Sequence, residues 1–232
     1  RERDAAERAI ALVAGRIGDA AKRAEPLLSA IKKLSETDRI ALLPALGRIG
    51  GPAALEEIDA SIASADPARH GGGVRALCNW PDASVAPRII KLAQTDKHDE
   101  HRAMSRAALI RIAPLPDGRP DRERLELVGN VMSMYPDEDS RNLLLRRASA
   151  IRTVETLRYV LPFVDQPQHA EAACESIVEL AHHRGLREPN KVEFHKALDK
   201  VLAITKDAVV IDRAKRYKAD QTWVRPAAKK AS

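Results

Sequence analysis

The chain has 232 residues, 44% of them hydrophobic but only 3% aromatic, and a formal net charge of +6. Such a length can bury a sizeable core, and apolar content carried by Ala and Leu rather than by aromatic residues argues for closely packed helices and against sheet. The charge is local: from Arg213 to Ser232 seven basic residues (Arg213, Lys215, Arg216, Lys218, Arg225, Lys229, Lys230) face one acid, Asp220, which leaves 32 basic and 32 acidic side chains in the rest. A neutral body with a basic end is not the footprint of a duplex-binding groove, so nucleic acid is not the expected partner. No apolar run approaches the roughly 18 residues of a bilayer span, and no membrane span is expected.

Helices are predicted in pairs along the whole chain. The first covers about 3–17, turns at Gly18-Asp19, and is followed by one reaching about Leu34, with Pro26 in its first turn. Ser35-Glu36-Thr37-Asp38 reads as an N-cap with an acid three residues on. It opens a helix over 38–49 with Ile40, Leu43, Leu46 and Ile49 on one stripe. Gly50-Gly51-Pro52 breaks that helix, and another follows over 52–63.

Asp66-Pro67 opens the third pair. Its Gly71-Gly72-Gly73 is expected to delay or fray the first helix, because each Gly costs about 1 kcal/mol relative to Ala. That helix is predicted to end at Trp80, with Pro81-Asp82 as the turn and a second helix over 83–94. Later pairs are 99–113 with 121–134, 138–151 with 153–165, and 168–184 with 190–205. The Pro-rich connection from Pro114 to Pro120 lengthens the fourth, and Pro162 bends or ends the second helix of the fifth. A last helix over about 208–219 caps the array before a tail expected to be disordered from roughly Thr222.

The phrase Ala14-Gly15-Arg16-Ile17-Gly18 returns 32 residues later as Leu46-Gly47-Arg48-Ile49-Gly50. The apolar residue before each inner turn (Ile17, Ile49, Trp80, Ile112, Ile151, Leu180) recurs at spacings of 32, 31, 32, 39 and 29. Self-similarity at this period marks a repeat array whose units bury their apolar faces against one another. Three details carry a resemblance to HEAT repeats: Leu43-Pro44-Ala45-Leu46-Gly47-Arg48-Ile49-Gly50 with its helix-bending proline, Asp82 and Arg88 six apart, and Ala76-Leu77-Cys78-Asn79-Trp80-Pro81-Asp82. The resemblance covers roughly residues 1–212.

It implies an all-α, right-handed α-α superhelix of about six helix pairs with a C-terminal capping helix over residues 1–220, and a basic disordered tail or linker over 221–232. It also implies a hydrogen-bond ladder between turn aspartate and second-helix base at Asp82 and Arg88, interrupted in the fifth unit by Thr153 and Tyr159. The third unit resembles HEAT modules of large bacterial multidomain proteins, some of which precede a sugar-active domain joined by a basic linker.

Several constellations have a chemical and a plainer reading. His98-Asp99-Glu100-His101, with Asp96 before it, offers imidazoles and carboxylates to Zn²⁺. The plainer reading is a helix start whose acids face its positive end, and on that reading no metal and no cofactor is expected. Glu56-Glu57 and Asp137-Glu138-Asp139 read as solvated or helix-start acids, and His182-His183-Arg184 as cations at a helix C-terminus. Cys78 and Cys174 read as small buried apolar groups, and Trp80 as a wedge between repeats. Arg146, Arg147, Arg152 and Arg158 form the densest basic group of the body. With Trp80, Tyr135 and Tyr159 as the available aromatics, they define an alternative, a HEAT-like DNA glycosylase.

The function expected is a non-catalytic scaffold for protein–protein interaction or spacing in a multidomain bacterial protein, its partner another protein or an adjacent domain of the same chain. Second helices line the concave face of HEAT arrays, so the resemblance implies Glu56, Asp59, Arg88, Lys91, Arg122, Glu126, Glu155 and Arg158 as binding contacts and Trp80, Pro81 and Asp82 as structural repeat turns. A second alternative is the accessory domain of a secreted carbohydrate-active enzyme. The chain starts at Arg1 rather than Met and is read as a piece of a longer protein, which leaves its compartment open.

Overall fold

The computed structural model describes residues 2–224. Every regular element among them is helical, as the composition leads one to expect, and none is long and apolar enough to cross a membrane. The chain divides into two compact units between Asp117 and Gly118, inside the Pro-rich connection.

The first unit contains α1 (Glu2–Ala14), α2 (Glu25–Ile31), α3 (Glu36–Ile49), α4 (Pro52–Ile62), α5 (Pro67–Cys78), α6 (Ala86–Thr95) and α7 (Asp99–Ile112). Helices α1, α3, α5 and α7 pack in succession, while α2, α4 and α6 each lie against the helix that follows. Local chemistry sets the ends. The Ser35 hydroxyl accepts the Asp38 N–H and donates to the Asp38 carboxylate, a reciprocal cap for α3. Gly50 and Gly51 take φ of 74° and 92°, a region that L side chains resist, and Pro52 then opens α4 at a position that needs no N–H. The second predicted helix is shorter than expected: a 3₁₀ turn at Ala20–Lys22, capped by Asp19, precedes α2.

Gly71-Gly72-Gly73 does not fray α5, contrary to expectation. The helix runs through all three, which are buried because neighbours come too close for a side chain. A Cβ on Gly72 would meet Ile40 and Leu43 of α3 at 3.0 and 3.1 Å, and one on Gly73 would meet the Ile62 backbone nitrogen at 2.8 Å. The packing of α3, α4 and α7 around α5 outweighs the propensity cost. Gly47 of α3 is closer still, with no room for a Cβ against the Ala76 backbone of α5.

Trp80 is 4% exposed; it lies against the Gly50 turn, and its indole donates to the Ser84 hydroxyl at 3.1 Å. Its carbonyl accepts from Arg111 of α7 at 2.7 Å, so the ring and backbone together join successive pairs. The ladder that the resemblance implies at Asp82 and Arg88 is not formed. Asp82 caps a 3₁₀ turn through the Ser84 N–H, and Arg88 turns instead to Asp59 of α4 at 3.2 Å.

The second unit contains α8 (Asp121–Ser133), α9 (Glu138–Ala148), α10 (Val154–Val160), α11 (Ala170–His182), the single-turn α12 (Arg184–Arg187), α13 (Lys191–Ile204) and α14 (Ala208–Lys218). Pro162 falls where α10 tightens into a 3₁₀ segment, Leu161–Asp165, which ends the predicted helix early. Helix α11 is the centre, its Ala173, Cys174, Ile177, Val178, Leu180 and Ala181 fully enclosed by α9, α13 and α14. Buried Arg187 donates to the Ala181 carbonyl at 2.6 Å and covers the Tyr217 ring at 5.3 Å, fastening α14. The start of the predicted tail is held: Trp223 donates to Asp212 and lies 5.0 Å from the Arg213 guanidinium. The remainder of that tail, 225–232, lies outside the described residues.

Candidate metal centre

Three elements of the first unit meet at a cluster of imidazoles around one buried carboxylate. Helix α4 ends at Ile62, whose carbonyl is one of the last four that a helix leaves without an internal donor. His70, in the first turns of α5, gives it that donor: its Nδ1 lies 2.6 Å from the Ile62 oxygen. Asp96 ends α6, and its backbone N–H closes on the Leu92 carbonyl. His98 then precedes the first turn of α7, and His101 lies within it. Gly71 clears the space for His101, since a Cβ there would stand 3.2 Å from the His101 Nε2.

The Asp96 carboxylate is 1% exposed, and the His70 and His101 rings are 17% and 14% exposed. One Asp96 oxygen accepts the His98 N–H at 2.9 Å and faces the His101 Nδ1 at 3.2 Å; the other faces the His70 Nε2 at 2.9 Å. Burial alone would raise the carboxyl's pKa, but the His98 N–H and the neighbouring His70 and His101 rings hold it below the ordinary aspartate value. The exposed His98 ring lies beside the cluster, 4.9 Å from His101 and 6.2 Å from His70 between centroids. One ring nitrogen each from His70 and His101 and one Asp96 oxygen all lie within 4.8 Å of one another.

The Nδ1 of His70 donates to Ile62, so in the neutral ring Nε2 carries a lone pair. That lone pair points at an ionised carboxylate oxygen 2.9 Å away. Two acceptors at hydrogen-bond distance leave a place for a shared hydrogen or a metal ion between them.

The local quartet that the sequence singles out contributes unevenly. His101 and Asp96 enter the cluster, whereas Asp99 turns to Arg102 and Glu100 is exposed. His70 was not anticipated. Its signal lies in spacing: His70 and His101 stand 31 residues apart, and α5 and α7, which carry them, pack together.

The residues expected to line a binding face fall in separate groups. In the first unit Glu56 and Asp59 lie on α4 and Arg88 and Lys91 on α6, with Asp59 and Arg88 paired. In the second, Arg122 pairs with Glu126 on α8, while Arg158 of α10 lies 3.9 Å from Glu155 and makes two bonds to Glu193 at 2.7 and 2.8 Å. Arg146 is likewise held by Glu175, and Tyr135 is 3% exposed. Cys78 and Cys174 are buried free thiols, and Asp137 caps α9 through the Ser140 N–H. No protein-family model matches the chain, and no curated protein does either.

Proposed function

We propose that the chain is a HEAT-type α-solenoid serving as a non-catalytic scaffold, with a protein or a neighbouring domain of the same chain as its partner. The observation that carries this reading is the succession α1, α3, α5, α7, in which the periodic first helices pack one on the next while α4 and α6 present charged side chains outward. A surface built from repeated helices generates broad contact area, and Glu56, Asp59, Arg88 and Lys91 supply its charge pattern in the first unit.

The test is one combined variant, Glu56→Lys, Asp59→Arg, Arg88→Asp and Lys91→Glu. The Asp59–Arg88 pair survives with inverted sign, and exposed pairs contribute only about 0–1 kcal/mol, so the melting temperature is expected to stay within a few degrees. Cross-linked capture from native lysate is expected to lose the partner that the wild type retains. Equal capture by both proteins would place binding elsewhere, and turnover of a sugar substrate by the isolated chain would overturn the non-catalytic reading.

A further inference from the structure

We propose that the first unit binds one divalent transition-metal ion of the Zn²⁺ class through His70, Asp96 and His101, with a fourth position left to solvent. This goes beyond the scaffold reading and stands independently of it. Two imidazoles and a carboxylate are the donor set that Zn²⁺ takes. The hydrogen bond from the His70 Nδ1 to the Ile62 carbonyl is the outer-shell contact that fixes a ligating ring, since it directs the Nε2 lone pair inward at Asp96. The carboxylate is already stripped of water, with its oxygens divided between the two rings. Two helices, α4 and α6, end at the cluster and two, α5 and α7, begin there, so the donors come from four element ends held together by packing. Gly71 supplies the clearance without which His101 would be displaced.

An ion at this place would tie the end of α4, the start of α5, the α6–α7 connection and α7 into one junction. Its role is that of a staple between these helices.

The experiment uses untagged protein stripped with a chelator and held at about pH 7.5, where free imidazole is neutral. Calorimetric titration with ZnCl₂ is expected to saturate at one equivalent. CoCl₂ is expected to give the visible absorption of a four-coordinate ion, and added Zn²⁺ to raise the melting temperature. His70→Gln and His101→Gln, each checked for native helicity, are expected to weaken uptake roughly 100-fold or more. His183→Gln, in the second unit, is expected to leave it unchanged. No saturable uptake by the wild type would overturn the proposal. Uptake that survives both glutamine variants would overturn it equally.

Discussion

Gly47→Ala isolates the close approach of α3 and α5. A Cβ at that position falls 1.9 Å from the Ala76 carbonyl oxygen, 2.6 Å from its carbon and 2.9 Å from its Cα. All three are backbone atoms, so no rotamer change relieves the overlap, and the helices must part by more than an ångström. They would part beside Leu43, Leu46, Val74 and Leu77, all fully buried. Overpacking with its accompanying voids costs about 3 kcal/mol, against about 1 kcal/mol gained from replacing Gly by Ala in a helix. The net loss of about 2 kcal/mol lowers the melting temperature by roughly 8 °C for a unit of this size. Gly129→Ala is the control: its Cβ would meet only the Tyr159 ring, at 3.8 Å, an ordinary contact. That variant is expected to gain about 0.5–1 kcal/mol. Both are read by thermal melts followed by circular dichroism. A Gly47→Ala protein melting at or above the wild type would refute the packing argument.

Burial pushes the Cys78 thiol up to about 11 and the Cys174 thiol up to about 12, so both stay protonated at neutral pH. An aromatic disulfide reagent is expected to label neither in the native chain and both in denaturant; fast labelling of the folded protein would contradict their burial. Burial opposes ionisation of Glu179, but the Arg213 guanidinium bonded to it at 2.7 Å holds its pKa below the usual carboxylate value. The stabilisation is therefore complete above the unfolded value near ~4.3 and lost as pH falls through the lower native value. The gap in melting temperature between wild type and Glu179→Gln is expected to be constant near neutrality and to shrink below about pH 4. A gap that does not change with pH would refute it.

The sequence disclosed most where one residue decides a local conformation. Ser35, Gly50, Gly51 and Pro52 act through their own backbone and side-chain chemistry, and the helix ends near them are where that chemistry puts them. It misled where a neighbour decides. Three consecutive glycines signal a frayed helix from propensity alone, yet their meaning depends on Ile40, Leu43, Ile62 and His101 standing too close for side chains. Asp82 and Arg88 have the right separation for a ladder, but a nearer N–H and a carboxylate on α4 take them. The candidate metal centre was half legible because attention to adjacent residues finds Asp96 and His101 and not His70, which is 26 residues from Asp96 in the chain. Only the packing of α5 on α7 brings them together.

Helix α5 has a consequence for how the first unit assembles. With Gly71, Gly72 and Gly73 in a 12-residue segment, it forfeits about 3 kcal/mol of intrinsic helicity and falls short of the length at which isolated helices persist in water. It cannot preform and wait to be docked. Its turns form only as α3, α4, α6 and α7 close around it, so coiling and assembly of this helix are a single event. In repeat arrays of self-sufficient helices the ends can peel while the middle endures. Here the middle is the dependent part, and losing any neighbour of α5 withdraws the template on which it is wound. Amide exchange along α5 is therefore a clock for opening of the whole unit rather than for local breathing.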